Sequence, residues 1–469
     1  MVSIVDQSLP IISLEIKQHL IESLKNLPDD ANQSVVDKNF IAIAFFDALG
    51  FSLLERVSEY ETIKGKNSKR VDYALRKNTE DDIFLQNKFK PEILVELKGK
   101  DVNLSYGSPS YKSTVKQLKD YLLAPNCKST RWGIITNSKY IQLFRKHGKT
   151  IFSATSCLEI TTENIYQIAI EIKTKIEKTS KALTVAVYNN KGGVGKTTTV
   201  INLAATLTRH RKKVIVIDFD PNQRDLTDSL NAKVGETKLY DCLKDKKNSV
   251  DLRKAIYSYS KTFKGGVTLR FDVIPVDDIL AQTDEDKIRQ EISIYSLRKK
   301  LEVLKSEYDY ILIDVPPNWR YYSISAIYAA DVVLIPTKHD NIRSLQNAAT
   351  TIQQYLPETQ RYRQQKTQGL EWGAIALPIF FNGEKITDAA RANAKKAIAS
   401  IIKKTKAEKR FDLIPYFFPR YKPRNNTSIF ELPNNAYIAY STFEKIPAVY
   451  KSKVAYDYYS QLAKEYFLQ

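Results

Sequence analysis

Two kinds of hydrophobic pattern occur along the chain, and they divide it into two regions. In the first region, apolar positions at helical spacing predict two helices, "ISLEIKQHLIESLKNL" and "KNFIAIAFFDALGF". A third helical segment, "STVKQLKDYLLA", is surrounded by runs typical of strands: "KRVDYALRK", "EILVELKG" and "RWGIITNSKYIQLFRK". This order predicts a small α/β domain with antiparallel neighbours over residues 1–158.

From Leu183 onward, short and nearly continuous apolar runs alternate with helical segments. The runs are "LTVAVYNN", "KKVIVIDFD", "FDVIPV", "YDYILIDV", "DVVLIPT" and "WGAIALPIF". Such runs are typical of a parallel sheet that is covered on both faces. The pattern therefore predicts a doubly wound, mostly parallel sheet over residues 183–469. Residues 159–182 have helical spacing and a charged end, which predicts a connecting helix or linker.

Charge and composition narrow the classes of partner. The formal net charge is +19 and the pI is near 9.4, which favours a polyanionic partner because clustered Lys and Arg release counterions from phosphates. The alternative, that the charge serves solubility alone, stays open. Three cysteines, far apart and odd in number, argue against a disulfide framework or a zinc knuckle and favour a reducing cytosol.

The N-terminus and the apolar runs also bear on location. The start "MVSIVDQSLP" lacks the basic and apolar regions of a signal peptide, and the apolar runs are short and interrupted by charges. We therefore expect neither an export signal nor a membrane span, and we expect a cytoplasmic protein.

The segment "NNKGGVGKTTTV" follows one predicted strand and opens a helix. Its glycines, Gly192, Gly193 and Gly195, allow the backbone to turn its N–H groups toward a phosphate. Lys196 supplies positive charge to the β- and γ-phosphates, and the hydroxyl of Thr197 is placed to bind Mg²⁺. Strand, loop and helix occur in the order that a nucleotide-binding loop requires.

An additional lysine, Lys191, stands at the start of "KGGVGKTT". With it the sequence resembles the deviant Walker A ATPases, the family of the ParA and MinD partition and positioning proteins. Other segments fit this family in order: "VIDFDPNQRDLT" resembles its second acidic motif and "YDYILIDVPP" its Walker B strand. "AADVVLIPTKHDNIRSL" and the C-terminal "STFEKIPAVYKSKVAYDYYSQLAKEYF" resemble later segments, so the resemblance covers about residues 183–469.

The resemblance implies a role for each matching residue. Lys191 would reach across a dimer interface to the ATP of the partner, Asp220 would orient the attacking water, and Asp314 would hold Mg²⁺ through a water. Asp218 would assist near the metal, with a turn or helix cap as the alternative. The implied binding set for ATP and Mg²⁺ comprises Gly192, Gly193, Val194, Gly195, Lys196, Thr197, Thr198, Asp218 and Asp314.

The sequence departs from the family pattern at two positions. Asn222 stands where the family usually has Gln, and Pro378 stands where an adenine-recognising Asn is expected. Asn382 is a candidate substitute for that residue. The preference for ATP over GTP is therefore implied by the family and not by these residues.

A second constellation lies in the first region. Glu96 and Lys98 are two residues apart in "ILVELKGKDV", and alternate residues of a strand point to one face. With Asp72 in "KRVDYAL", they form a candidate phosphodiesterase centre. The carboxylates would hold a divalent ion that activates water, and the lysine would stabilise the developing charge. The set resembles the PD-(D/E)XK nuclease core, and Val71 replaces its name-giving proline.

Further residues fit the same resemblance, which covers about residues 30–160. Gln117 and Tyr121, in "QLKDY", resemble an element of the N-terminal nuclease domain of type I restriction subunits, and Asp37 could be a helix-borne acid. Two alternatives stay open. The Glu-Lys pair could be the exposed face of an edge strand, or the site could bind DNA without cutting it.

Two basic segments are candidate DNA contacts. The helical run "RANAKKAIASIIKKTKAEKR" and the basic, aromatic loop "PRYKPRNN" supply the candidates Lys395, Lys396, Lys403, Lys404 and Arg420. A solvated helix face is the alternative for the run, and a place beside the nucleotide is the alternative for the loop.

Two functions therefore compete. The first is an ATP-hydrolysing DNA-binding switch of the ParA type: a homodimer with ATP, associated with nucleoid or plasmid, acting in partition with a centromere-binding adaptor protein. The second is an ATP-gated, metal-dependent nuclease of restriction or phage defence. A MinD-like role would need an amphipathic membrane-binding tail, and the charged C-terminus "SQLAKEYFLQ" is a poor candidate.

Overall fold

The chain forms two compact units in the computed structural model, which describes residues 12–64, 67–409, 411–418, 428–433 and 444–469. The first unit comprises Met1–Thr179, Gln364–Trp372 and Gln469, and the second comprises Ser180–Arg363 and Gly373–Leu468. No helix of the described ranges has the length and apolar character needed to cross a membrane.

The first unit is built on a mixed sheet with the strand order β1-β2-β3-β4-β5-β6, and β7 pairs with β5. Only β3 and β4 run parallel; the other pairs are antiparallel. The strands are β1 (Arg56–Lys64), β2 (Asn67–Leu75), β3 (Ile93–Leu97), β4 (Trp132–Thr136), β5 (Tyr140–His147), β6 (Thr150–Ser153) and β7 (Leu158–Glu159).

Helices lie before, between and after these strands. They are α1 (Leu14–Lys25), α2 (Gln33–Val36), a π-helical stretch (Asp37–Phe45), α3 (Phe46–Ala48), α4 (Phe84–Asn87), α5 (Pro109–Leu122) and α6 (Ile165–Glu177). The predicted second helix is thus a composite in which α2, the π-helical stretch and α3 follow one another directly. Short π segments often occur at functional sites, and this one begins at Asp37.

Helix α5 makes the crossover between the parallel strands β3 and β4, which cannot be joined by a tight turn. The hydroxyl of Ser108 caps its start by accepting the N–H of Tyr111, and Pro109 occupies the first turn, where its missing N–H costs nothing. Every residue of β3 is buried, as expected for an interior strand. The crossover therefore sets α5 beside the ends of β2 and β3.

Strand β1 lies at one end of the sheet order, and its free edge carries a side-chain cap. The side chain of Asn126 accepts the N–H of Ile63 at 3.0 Å and donates to the carbonyl of Glu61 at 2.9 Å. This single amide thus bonds to backbone groups of β1 that a neighbouring strand would otherwise engage.

Helix α6 lies within the segment interpreted from sequence as a connection. Its residues Ile165, Ile168 and Ile172 are buried in the same hydrophobic cluster as α1 and the strands of the first unit. Strand β1 was missed from sequence, because "RVSEYETIK" contains many polar residues.

The second unit contains the predicted, mostly parallel sheet, with the strand order β10-β11-β9-β12-β8-β13-β15. Only the pair β10 and β11 is antiparallel within it. The strands are β8 (Leu183–Val187), β9 (Val214–Asp218), β10 (Tyr257–Thr262), β11 (Thr268–Ile274), β12 (Tyr310–Asp314), β13 (Val332–Leu334) and β15 (Ile375–Ala376).

Two runs predicted as single strands are each divided between two sheets. After β13 the chain forms β14 (Pro336–Thr337), and after β15 it forms β16 (Phe380–Gly383). Strand β16 pairs in parallel with β14 on one side and with β17 (Phe430–Pro433) on the other, and we call these three strands the small sheet. Each division lies beside a proline, Pro336 or Pro378, which cannot donate a ladder hydrogen bond.

Helices cover the sheets of the second unit. They are α7 (Lys196–Arg209), α8 (Asp225–Ser229), α9 (Leu239–Lys244), α10 (Asp278–Gln282), α11 (Glu285–Glu291), α12 (Ser296–Leu301), α13 (Tyr321–Ala329), α14 (Ile342–Thr350), α15 (Leu356–Lys366), α16 (Asp388–Lys409), α17 (Ile414–Phe417) and α18 (Lys453–Tyr466). A further π-helical stretch, Thr351–Tyr355, joins α14 to α15. In the middle of the sheet, β9, β12 and β8 end beside one another, which brings the acidic motifs to the loop after β8.

Candidate functional site

The loop between β8 and α7 has a backbone suited to an anion. Gly193 and Gly195 have φ angles of +71° and +82°, a region that glycine adopts without steric cost. Helix α7 starts directly after Gly195, so its first N–H groups lack intrahelical partners, and the positive end of its dipole lies at the loop. The residues that the sequence singled out here lie on this loop and in the first turn of α7: Lys191, Gly192, Gly193, Val194 and Gly195 on the loop, and Lys196, Thr197 and Thr198 in the helix.

The ammonium of Lys196 lies inside the loop. Its Nζ atom is 3.3 Å from the carbonyl oxygen of Lys191. Burial lowers the pKa of Lys196, whereas the charges of Asp314, Asp220 and Asp225 act in the opposite direction. The lysine is thus held within reach of several carboxylates. Asp225, in the first turn of α8, was missed from sequence, and its place five residues after Asp220 was the available signal.

Thr197 and Asp314, the two residues for which the sequence suggested a role at Mg²⁺, are in direct contact. The Thr197 hydroxyl donates to Oδ2 of Asp314 at 2.6 Å, while Oδ1 of Asp314 is buried and has no partner among the described residues. Burial raises the pKa of Asp314 well above its usual value. A hydroxyl and a carboxylate oxygen are ligands that Mg²⁺ prefers, directly or through water. The unpartnered oxygen therefore fits a metal site.

The two acids of the second motif have different surroundings. Oδ2 of Asp218 accepts the N–H and the hydroxyl of Thr227, at 2.8 and 2.6 Å, and Oδ1 accepts the N–H of Asp220 at 3.2 Å. Burial raises the pKa of Asp218 to about 6. These bonds are those of a turn anchor, the alternative that the sequence left open.

Asp220 has surroundings that suit a reacting group better than those of Asp218 do. Its Oδ1 atom accepts the N–H groups of Asn222 and Gln223, at 3.2 and 3.3 Å. Burial raises the pKa of Asp220, and the charge of Lys196 opposes that rise. Within the described residues, the Oδ2 atom of Asp220 accepts no such hydrogen bond and can therefore bind a further ligand.

Asn382, the candidate for adenine recognition, is occupied elsewhere. It is 8% exposed, and its Nδ2 atom donates to the carbonyl of Val194 at 3.0 Å. The same nitrogen lies 3.4 Å from the Gly195 carbonyl and from the Thr199 hydroxyl. The Asn382 amide nitrogen is thus bonded to the phosphate loop and is not available to a base.

An aromatic cluster next to the loop was not anticipated from sequence. Trp319 and Tyr355 stack with ring centroids 4.1 Å apart and an interplanar angle of 5°, and Tyr188 packs against both. The side chain of Asn190, immediately before Lys191, donates to the Tyr355 hydroxyl at 3.3 Å. The cluster connects the segment after Asp314 to the start of the phosphate loop.

In the first unit, Asp72 lies on β2 and faces the end of β3. Its Oδ2 atom accepts the N–H of Leu97 at 2.6 Å, and its Oδ1 atom accepts the side-chain amide of Gln33 at 2.8 Å. Burial raises the pKa of Asp72. Gln33, from α2, was missed from sequence because it lies 39 positions away along the chain.

Glu96 and Lys98 form an ion pair, although β3 ends at Leu97 and Lys98 follows it. Nζ of Lys98 is 2.6 Å from Oε1 of Glu96, whose side chain is 3% exposed. The Oε2 atom of Glu96 is buried and unpartnered within the described ranges. Burial, reinforced by the charge of Asp72, raises the pKa of Glu96 to about 7. Burial of Glu96 argues against the exposed-face alternative.

The accessory residues lie on elements beside this pair. On α5, the Gln117 amide donates to the Tyr121 hydroxyl at 2.7 Å, and the charges of Glu96 and Asp72 act on the pKa of Tyr121, which burial raises. Asp37 accepts the Tyr73 hydroxyl at 3.2 Å. Across the described ranges, no group of three or more His, Cys, Asp or Glu residues is arranged to hold a metal ion, so a metal here would rely on two carboxylates.

Helix α16 carries four of the candidate DNA contacts. Its inner face buries Ala394, Ile398 and Thr405, and the Thr405 hydroxyl accepts the side-chain amide of Gln353 at 2.9 Å. Lys395 is half-buried, whereas three other lysines on the helix are exposed: Lys396, Lys403 and Lys404. Arg420 lies outside the described residues.

Comparison with known proteins identifies the C-terminal region. Residues 182–371 match a family model described as an AAA domain. The sporulation initiation inhibitor protein Soj of Bacillus subtilis is 33% identical over 179 residues, which are 37% of this chain and 66% of Soj. The chromosome partitioning protein ParA of Myxococcus xanthus is 34% identical over 155 residues, 32% of this chain and 50% of that protein.

Solved structures with a similar chain course include two nucleotide complexes. The ATP complex of McdA from Cyanothece has a TM-score of 0.44 and 21% identity, covering 61% of this chain and 96% of McdA. The Mg-ADP complex of the septum site-determining protein MinD from Pyrococcus horikoshii has a TM-score of 0.39 and 20% identity, covering 61% of this chain and 95% of MinD.

The matches have a defined extent. The chain spans between half and about two thirds of the length of the two curated relatives above, and the family match begins at residue 182. The C-terminal region therefore contains an AAA domain that is similar in sequence to the Soj and ParA proteins named above. The part of the first unit up to Thr179 lies outside the family match.

Proposed function

We propose that this chain is an ATP-hydrolysing switch of the ParA type, which dimerises with ATP and then binds DNA. The observation that carries the proposal is the contact between the Thr197 hydroxyl and Asp314, next to a buried Asp314 oxygen that has no partner in the described part of the chain. A magnesium ion bound there would neutralise charge between the β- and γ-phosphates of ATP. The ATP and Mg-ADP complexes named above, of McdA and MinD, agree with this ligand class.

The residues of the site have separate roles in binding the nucleotide and hydrolysing it. The N–H groups at the start of α7 and the Lys196 ammonium bind the phosphates, and Thr197 and Asp314 hold the metal. Asp220, whose carboxylate lies close enough for the charge of Lys196 to affect its pKa, orients the attacking water. Lys191, at the start of the loop, reaches the nucleotide of a second copy and completes the neutralisation.

DNA is the proposed partner of the dimer. The net charge of +19 and the exposed lysines of α16 support phosphate contacts that do not depend on sequence. In a partition system, an adaptor protein on a centromere would stimulate hydrolysis and reset the switch. The protein would then be cytoplasmic and associated with nucleoid or plasmid.

The test is the Lys191→Ala variant, with Lys233→Ala, an exposed lysine of the same unit, as control. We expect Lys191→Ala to remove dimerisation with ATP, measured by light scattering, and to lower DNA affinity by at least about tenfold in mobility-shift assays. Lys233→Ala should retain both properties. If Lys191→Ala dimerises and binds DNA as the wild type does, the proposed switch is wrong.

A second candidate function has its own observation in the first unit. Glu96 is buried with one unpartnered oxygen, its other oxygen bonds to Lys98, and the charge of Asp72 acts on it. These are the groups that a PD-(D/E)XK-type phosphodiesterase needs for a divalent ion and a phosphate. ATP binding in the second unit would then gate cleavage, as in restriction or phage defence.

Plasmid cleavage with Mg²⁺ or Mn²⁺, with and without ATP, tests this candidate. We expect the wild type to nick or cut plasmid, and Asp72→Asn and Glu96→Gln each to lower the rate at least about a hundredfold. Glu61→Gln, an exposed position on β1, is the control. No cleavage by the wild type, or equal cleavage by Asp72→Asn, excludes the nuclease and leaves the switch in place.

A further inference from the structure

The contact between Asn382 and Val194 joins two parts of the second unit that are far apart in sequence. Asn382 lies near the end of β16, the central strand of the small sheet, and is paired there with Leu432 of β17. Its amide nitrogen is 3.0 Å from the carbonyl oxygen of Val194, which is itself buried. A buried carbonyl needs a donor, and Asn382 supplies it.

This hydrogen bond fixes one peptide plane of the phosphate loop. The carbonyl of Val194 and the N–H of Gly195 belong to the same peptide, in which they point in opposite directions. Because Asn382 donates to the Val194 carbonyl, that carbonyl points toward Asn382 and the Gly195 N–H points to the opposite side of the loop. That side is where a phosphate would accept it.

Thr199 holds the next peptide plane in a similar way. Its N–H and its hydroxyl donate to the Gly195 carbonyl at 2.9 and 2.7 Å. The Lys196 N–H, on the opposite side of the same peptide, therefore points away from Thr199. Asn382 is 3.4 Å from that carbonyl and contributes less there. The specific effect of Asn382 is therefore on the Val194–Gly195 plane.

The fit between Asn382 and Gly195 is close. A Cβ atom added to Gly195 would lie 2.1 Å from Nδ2 of Asn382, well inside any normal contact distance. The glycine is thus required both for its positive φ angle and for the space that the amide fills. The two positions form a matched pair across 187 positions of sequence.

We infer that Asn382 is a positioning residue for ATP binding: it orients the Gly195 N–H toward the phosphates by holding the Val194 carbonyl. The inference rests on the proposed ATP-binding function and deepens it. It assigns to the small sheet a part in shaping the phosphate site. Asn382 itself touches the loop backbone and not the nucleotide.

Steady-state ATP hydrolysis by the full chain tests the inference through the separation of KM from kcat. Asn382→Ala should raise KM about tenfold and leave kcat within about threefold. The reason is that a weaker contact from the Gly195 N–H destabilises bound ATP and the transition state by similar amounts. Asn382→Asp should raise KM further, about a hundredfold, because an ionised carboxylate cannot donate to the Val194 carbonyl.

Gln360→Ala is the control for folding. Gln360 is half-buried in the second unit, and its amide donates to the backbone carbonyl of Ala374 at 2.7 Å, away from the phosphate loop. We expect this variant to lower Tm, as Asn382→Ala does, while its KM stays within about twofold of the wild type. An unchanged KM in Asn382→Ala, or an equal rise in Gln360→Ala, overturns the inference.

A double-mutant cycle with Gly195→Ala tests the direct contact. Asn382→Ala opens the space that the added methyl group needs, so the double variant should have a lower KM than the product of the single effects predicts. Additive effects would contradict a direct contact. If the wild type neither binds nor hydrolyses ATP, the proposed function fails together with this inference, whereas wild-type hydrolysis with additive variants removes the inference alone.

Discussion

The two candidate sites of this chain contain the same pair of groups in opposite arrangements. Asp314, at the end of β12, and Glu96, near the end of β3, are both buried, and each has one oxygen with no partner among the residues that the structure describes. In the second unit, Lys196 bonds to a backbone carbonyl of its own loop. In the first unit, Lys98 pairs directly with Glu96. The first arrangement leaves the lysine charge for a ligand, whereas the second uses it to stabilise the carboxylate.

This difference shows two ways in which the negative charge of a buried carboxylate can be stabilised. Asp314 accepts a neutral hydroxyl, and burial and the charge of Asp218 raise its pKa although the charge of Lys196 opposes that rise, so an added cation would stabilise its ionised form. Glu96 has its cation in the chain and still has a raised pKa, because burial outweighs the ion pair. The site in the second unit therefore favours an added cation, whereas the carboxylate in the first unit is already paired with a lysine.

Lys196→Ala should break the comparison with the largest effect. We expect ATP hydrolysis to fall at least about a thousandfold, since the phosphate charge loses its nearest cation. Lys98→Ala, the equivalent removal in the first unit, should change hydrolysis by less than about twofold. Rates from a phosphate-release assay check both. A comparable loss in the two variants would show that the two lysines do not serve separate sites.

The next effect concerns Glu96 and pH. The pKa of Glu96 is about 7 in the fold and 4.5 for the ordinary group, so the folded state binds more protons between these values. Its contribution to stability is therefore complete below pH 4.5 and is lost as pH rises to 7. Glu96→Gln should remove this loss, raising the free energy of unfolding at pH 8, relative to wild type, by about 2 to 3 kcal/mol.

Denaturant unfolding at pH 4.5 and pH 8 in EDTA measures this difference, with the exposed Glu61→Gln as control. Added Mg²⁺ or Mn²⁺ sharpens the result, because a metal at Glu96 and Asp72 would stabilise the wild type at pH 8 and not Glu96→Gln. An equal wild-type-to-variant difference at both pH values would contradict the raised pKa.

The smallest effect is expected for Lys98→Met. Removal of the ammonium leaves Glu96 without its partner, which should lower the free energy of unfolding at pH 8 by about 1 to 2 kcal/mol. At pH 4.5, where Glu96 is protonated, the cost should be smaller. The double variant Glu96→Gln/Lys98→Met should recover most of the loss at pH 8. Failure to recover it would mean that Lys98 stabilises the fold by contacts other than the ion pair.

The sequence predicted best what is local. The phosphate loop, its preceding strand and its following helix occupy consecutive residues, so the spacing of Gly193, Gly195 and Lys196 was enough to identify them. The apolar runs "KKVIVIDFD" and "YDYILIDV" predicted two strands, β9 and β12, which end at Asp218 and Asp314. The positions of Asp72, Glu96 and Lys98 on or beside predicted strands likewise followed from short local runs of sequence.

What the sequence did not reveal depends on distant partners. The bond from Asn382 to Val194 spans 188 positions. The predicted strand "WGAIALPIF" ends two residues before Asn382 and is divided between two sheets. Nothing in the residues around Glu96 indicates that its second oxygen would be buried without a partner. Burial and direction of a side chain are set by tertiary packing, which a local pattern does not contain.

The amide of Asn126 has a consequence for the behaviour of many molecules together. By engaging the backbone of Ile63 and Glu61, it removes pairing positions that a second chain would otherwise use to extend the sheet. The residue therefore bears less on how firmly one copy folds than on whether copies stay apart at the high local concentrations of a crowded cell.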